Sequence, residues 1–288
     1  MRPLPKLLLT TAAAAAALAP TAAADTPLVD APGAKALAGA GGWLVWSAPT
    51  PEGQFRLTVR APDGTVSQPA IPAFTRPVPV GVGSNTQYGS AKRVVAVYPR
   101  DGDVRVLDLE RGTDRRYDQV SSRATETLAA INNGQVVTVR STGEGKGLYV
   151  RSNAGRTRRL TSTVPSQVAM AYSRVATVEG TGADQRVVIR RLSGRGRPMV
   201  VRKGLTGVSS LWLTRYRAGF ATTTAQGTRL VATRRFAGSG GPYTLTTLTD
   251  PWTSTSALSG IVTNGSEPTT FLDDGGVKRF SPIPFHGR

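Results

Sequence analysis

Arginine is the residue with the most capacity for chemistry in this chain. Residues 186–204 read RVVIRRLSGRGRPMVVRKG, with seven basic residues and no acidic one. A guanidinium presents a planar fork of N–H donors that grips a phosphate or carboxylate through two oxygens, and a cluster of them raises the local concentration of anions. The stretch belongs to a larger imbalance. Residues 140–235 carry 19 basic and 3 acidic side chains, whereas residues 25–139 carry 12 and 11, and residues 236–288 carry 3 and 4. The excess is therefore concentrated in one segment. Its candidate anion- or partner-binding residues are Arg151, Arg156, Arg158, Arg159, Arg190, Arg191, Arg195, Arg197, Arg234 and Arg235. A plainer reading stands beside this one. The chain uses 30 Arg and 6 Lys, and charged outer strands also keep sheet edges from pairing with other chains.

Other reactive groups are scarce. There is no Cys, which removes thiolate catalysis, thiolate-bound metal and disulfides. His286 is the only His, so a Ser–His–Asp triad or a histidine metal site has almost nothing to build from. Asp101–Gly102–Asp103 and Asp273–Asp274 suggest calcium, but neither continues into a full oxygen-ligand loop; they read as turn residues. The pieces GTGADQ and GSGGP lack the following helix and lysine of a phosphate loop. Trp43, Trp46 and Trp212 lie in strand-like patterns and are expected to pack, whereas Trp252, in PWTST, is a candidate for surface recognition. No cofactor and no metal are expected.

The first residues read MRPLPKLLLTTAAAAAALAPTAAADTP. Arg2 and Lys6 form a positive start, residues 7–18 form a short apolar run, and Ala22 and Ala24 fit the small-residue pattern of a cleavage site. Residues 1–24 are therefore expected to be a Sec-type signal peptide, and residues 25–288 one exported domain. With no Cys at the cleavage site, a lipid anchor is not expected. No later run is long and apolar enough to read as a membrane helix.

These side chains must be positioned by repeating elements. A cassette of a small-residue strand, a turn, a β-branched strand and a strand ending at a glycine turn recurs at residues 36–66, 90–117, 129–160, 168–201, 211–245 and, more weakly, 257–282. The turn glycines Gly64, Gly112, Gly155, Gly194 and Gly238 recur every 39 to 48 residues. Period-two alternation marks the strands, and no long amphipathic helix pattern follows residue 25. Four short strands every 40–50 residues is the period of a β-propeller blade. The expected fold is all-β, a propeller of six blades with four antiparallel strands each; five or seven blades are the neighbouring alternatives. Leu28 and Val29 precede the first cassette and are expected to supply the strand that closes the last blade. The innermost strands are expected at residues 86–90, 125–130, 166–171, 209–213 and 255–259, which would bring Gln87, Glu126 and Gln167 to the channel.

LAGAGGWLVWSA, residues 37–48, resembles the strand–turn–strand signature of TolB-like and, more broadly, WD40-like propeller repeats. Residues 172–176 and 217–221 keep the layout but not the letters, and the Asp of that signature is missing throughout. The resemblance implies a fold and no particular site, because propellers host many unrelated functions.

The expected function is that of an exported, non-enzymatic binding or scaffold module at the cell envelope, and the expected oligomeric state is a monomer. Its basic sector, residues 140–235, expected as an arc on the rim and not in the channel, would meet wall phosphate polymers, anionic lipid headgroups or acidic proteins. Few aromatics accompany these arginines, which argues against a single-stranded nucleic-acid groove. The alternative is a propeller hydrolase or lyase with a channel site that the sequence does not locate.

Overall fold

A computed structural model describes residues 25–85, 93–143, 145–225, 227–233, 253–254, 258–264 and 267–281. They form six antiparallel four-stranded sheets. Blade one comprises Lys35–Ala40, Trp43–Pro49, Phe55–Arg60 and Val66–Ser67. Blade two comprises Gly81–Asn85, Arg93–Arg100, Asp103–Asp108 and Asp114–Arg116. Blade three comprises Glu126–Asn132, Gln135–Arg140, Gly147–Arg151 and Thr157–Thr161. Blade four comprises Gln167–Ala171, Arg174–Glu179, Gln185–Arg191 and Met199–Leu205. Blade five comprises Val208–Leu213, Ala218–Thr224, Gly227–Ala232 and Thr253–Ser254. Blade six comprises Gly260–Asn264, Glu267–Asp273 and Gly276–Arg279, and takes its outer strand, Thr26–Asp30, from the start of the described chain.

That last pairing closes the ring, as Leu28 and Val29 lead one to expect. Val29 stands opposite Val277, and Asp30 opposite Gly276. Each seam between consecutive blades carries its own apolar core. Val45 and Leu57 meet Ala96 and Tyr98 at the first, and Trp212 and Leu230 meet Ile261 and Phe271 at the fifth. The closing seam packs Leu37, Leu44 and Trp46 against Val262, Leu272 and Val277. A lone blade would leave both faces wet, so burial requires the ring. Trp46 and Trp212 are buried, as expected of packing residues, and Trp43 is half-buried against the first seam.

The turn glycines behave as read. Gly64, Gly112, Gly155 and Gly194 all adopt positive φ between the third and fourth strands of their blades, a conformation that costs glycine little. Two inner strands, however, differ from the expectation. In blade two the inner strand is Gly81–Asn85, upstream of residues 86–90, and in blade six it is Gly260–Asn264, downstream of residues 255–259. The reason is crowding at the axis. A Cβ on Gly81 would approach the Ala129 carbonyl oxygen to 2.7 Å, and one on Gly83 would overlap the Ile131 carbonyl. A Cβ on Gly260 would meet Leu37 at 2.6 Å. Strands that approach a neighbouring backbone this closely take glycine and lose the alternating signature.

Because the strands run as a meander from axis to rim, turns emerge on two faces. The turns between first and second strands, and between third and fourth, share one face, here called the hairpin face. The turns between second and third strands share the other face with the blade-to-blade connections.

Candidate functional site

Among the described residues, the turns of blades three to five supply most of the basic residues on the hairpin face. The blade-three outer turn is fixed by its own backbone: Gly155 N–H donates to the Ser152 carbonyl at 2.9 Å, and Arg156 N–H to Ser152 Oγ at 3.3 Å. Arg151 donates to the Gly155 carbonyl at 2.8 Å and to Gln119 Oε1 at 3.4 Å. Arg158 reaches across the seam and donates to the Leu192 carbonyl at 2.9 Å, tying this turn to that of blade four. In blade four the Arg191 carbonyl accepts from Gly194 N–H at 2.9 Å. Arg156, Arg191, Arg195 and Arg197 are exposed, and among the described residues no carboxylate lies within ion-pair distance of them.

Two of the candidates lie elsewhere. Arg159 turns toward the opposite face and donates to the Lys146 carbonyl at 2.7 Å. Arg190 points inward; its side chain is 11% exposed and pairs with Glu179, whose side chain is fully buried. Arg234 and Arg235 lie outside the described residues, as do Gln87, Trp252, Gly238 and residues 1–24.

The axis offers a different environment. A cavity of about 410 Å³ at the connection-face end of the channel is lined by Lys35, Ser166, Gln167, Ser209, Ser210 and Ser259 among apolar side chains. Gln167 Nε2 donates to the Val208 carbonyl at 2.8 Å, joining adjacent inner strands. Glu126 is on an inner strand, as expected, but is held at the seam of blades two and three. Its N–H donates to the Gly102 carbonyl at 2.9 Å, Ser122 Oγ donates to its carboxylate, and Arg140 Nε lies 3.4 Å away. Burial raises the Glu126 carboxyl above the usual range, against the lowering by Ser122 and Arg140.

The acidic pairs serve turns. Asp101 and Gly102 adopt positive φ, and Asp103 accepts from Arg116. Asp273 accepts from the N–H groups of Gly275 and Gly276 and from Lys278 Nζ at 2.6 Å, while Lys35 lies 3.5 Å from Asp274.

A feature that sequence reading missed lies at the hairpin-face end of the axis. Tyr172 and Tyr216, in the inner turns of blades four and five, are 47% and 40% exposed. The Arg215 guanidinium sits 5.5 Å from one ring centroid and 5.4 Å from the other. The sequence signal was faint: each tyrosine stands alone in a turn, and only the ring brings them together.

The six stacked sheets and the borrowed outer strand define a six-bladed β-propeller. Similar solved structures include TolB from Acinetobacter baumannii, at 10% identity and a TM-score of 0.51, over 83% of this chain and 64% of that one. A chain of a nidogen/laminin complex matches at 10% identity and 0.52, over 71% and 77%. A chain of hydrazine synthase from Kuenenia stuttgartiensis matches at 14% identity and 0.54, over 85% and 78%. The TolB-like resemblance thus holds at the level of the fold. No protein-family model matches the chain, and no curated protein does.

Proposed function

We propose that this chain is an exported β-propeller that acts as a binding or scaffold module at the cell envelope and takes polyanionic partners on the hairpin face of blades three to five. The observation that carries the reading is the group Arg156, Arg191, Arg195 and Arg197: four exposed guanidinium groups on adjacent turns, without carboxylate partners among the described residues. A buried or paired arginine has spent its donors within the fold, whereas these four keep theirs for a ligand. Anchored turns favour binding, since less order must be imposed when the partner arrives. The basic start and apolar run of residues 1–24 support export.

The test is binding of a teichoic-acid-like polymer or heparin across a salt series. Neutralising each phosphate releases counterions, and by analogy with duplex DNA each contact adds about 0.9 to the log–log salt slope. Replacing Arg156, Arg191, Arg195 and Arg197 together with Gln should lower both affinity and slope. The control replaces Arg56, Arg76, Arg111 and Arg115, all exposed and outside the sector. Equal losses from both sets would reduce the effect to net charge.

A further inference from the structure

We infer that the tyrosine pair at the hairpin-face mouth is a site for an acidic sugar residue of an anionic polysaccharide; this rests on the polyanion reading and names its ligand class. Among the described residues four large hydrophobic side chains are exposed, and two of them, Tyr172 and Tyr216, share one guanidinium. A bare anion needs only the arginine. A pyranose bearing a carboxylate uses both features: its C–H face packs on an aromatic ring, and its carboxylate meets the guanidinium edge. Cation–π attraction from both rings, 5.5 and 5.4 Å away, favours the Arg215 guanidinium at this mouth, and its fork of N–H donors can serve that carboxylate.

The surroundings hold this arrangement in place. Tyr172 has φ of +52°, a conformation a bulky residue rarely takes, and its N–H donates to Asn132 Oδ1 of blade three at 3.3 Å. Arg174 donates to the Arg215 carbonyl at 3.3 Å, linking blades four and five. Thr214, buried, accepts from the N–H groups of Tyr216 and Arg217 at 3.1 and 2.9 Å. Strain retained in an exposed turn is a frequent mark of a binding surface. The two rings flank one cation, which suits one sugar residue rather than a row of stacked bases.

The test uses the chain from Asp25 onward and three probes: an oligouronate, polyphosphate and oligo(dT). Tyr172→Asn keeps a residue that tolerates positive φ; it is combined with Tyr216→Ser. The oligouronate should bind with about tenfold lower affinity to this variant, the scale of two aromatic contacts, while polyphosphate binding stays within about twofold. Saturation-transfer NMR should show the sugar C–H protons receiving magnetisation from wild type and losing it in the variant, with thermal melting confirming the fold. Uronate binding that ignores the tyrosines, or oligo(dT) binding that is tighter and equally tyrosine-dependent, would overturn the inference and leave the polyanion reading standing. Failure of wild type to bind both uronate and polyphosphate would remove the two together.

Discussion

Arg190 closes an ion pair with Glu179 inside the ring, while Arg191, its neighbour in the chain, faces solvent. Glu179 also receives Arg186 at 3.2 Å, and Arg190 donates to Thr177 Oγ1 at 3.1 Å. Val178 belongs to the core against blade five and Val175 to the core against blade three. Strand alternation therefore aims Thr177 and Glu179 at blade three. A charge pair in this position contributes little by itself but is costly to break, because buried Glu179 would keep only the half-exposed Arg186 as a cation, or largely buried Arg190 only the Thr177 hydroxyl.

Glu179→Gln and Arg190→Gln should each lower unfolding free energy by about 3–5 kcal/mol. Arg195→Gln should leave it unchanged within about 0.5 kcal/mol, as for other exposed positions. Urea unfolding of the three variants checks this. Equal, small effects would mean that the seam is wet and the pair weak.

Glu126 gives a prediction in pH. Its folded carboxyl titrates above the unfolded value because burial opposes the charge. The folded state therefore binds a proton that the unfolded state releases, and this group's contribution to stability rises as pH falls toward the unfolded range. Glu126→Gln mimics the protonated form. The variant should melt at a higher temperature than wild type at neutral pH, and the difference should shrink on acidification. A variant that melts lower at neutral pH would show that Arg140 outweighs burial.

The outer hairpins were legible in the sequence because their requirements are local: a glycine at positive φ and alternating flanks. So was closure by Leu28 and Val29, since an apolar pair before the first cassette had no other place. The inner strands of blades two and six were not legible, because what selects Gly83 and Gly260 is a neighbouring blade's backbone. For the same reason Arg190 and Arg191 read alike in the sequence, and only the folded blade brings the Glu179 carboxylate to the first of them. The tyrosine pair was hidden too, because residues 44 apart become neighbours only through the ring.

Gly83→Ala tests this directly. The added methyl would overlap the Ile131 carbonyl, which is backbone and cannot rotate away. The loss should be about 1–3 kcal/mol or more, as for overpacked cores. Gly112→Ala makes a comparison, since no atom lies within 4 Å of its Cβ and only its φ of +66° opposes the change. Thermal melting should place Gly83→Ala below Gly112→Ala; the reverse order would mean that the inner strands can separate.

Closure of the ring gives the last prediction. Thr26–Asp30 pairs with Gly276–Arg279, and Asp25 Oδ1 accepts from Ser281 N–H at 2.8 Å. Cleavage after Ala24 would leave this strand whole, so a chain beginning at Asp25 should fold and melt in one transition. A chain beginning at Ala31 loses the strand and bares one edge of blade six. Val277 and Leu272, both fully buried, would lose cover from Leu28 and Val29. Each apolar side chain returned to water costs about 1.5–3 kcal/mol, and the unpaired edge of Gly276–Arg279 becomes a template for association. The shorter chain should therefore melt lower and elute partly as oligomers on size-exclusion chromatography. If both chains melt at the same temperature and remain monomeric, the first strand is an ornament on blade six, and the ring is held shut by the packing of Leu37, Leu44 and Trp46 against Val262, Leu272 and Val277.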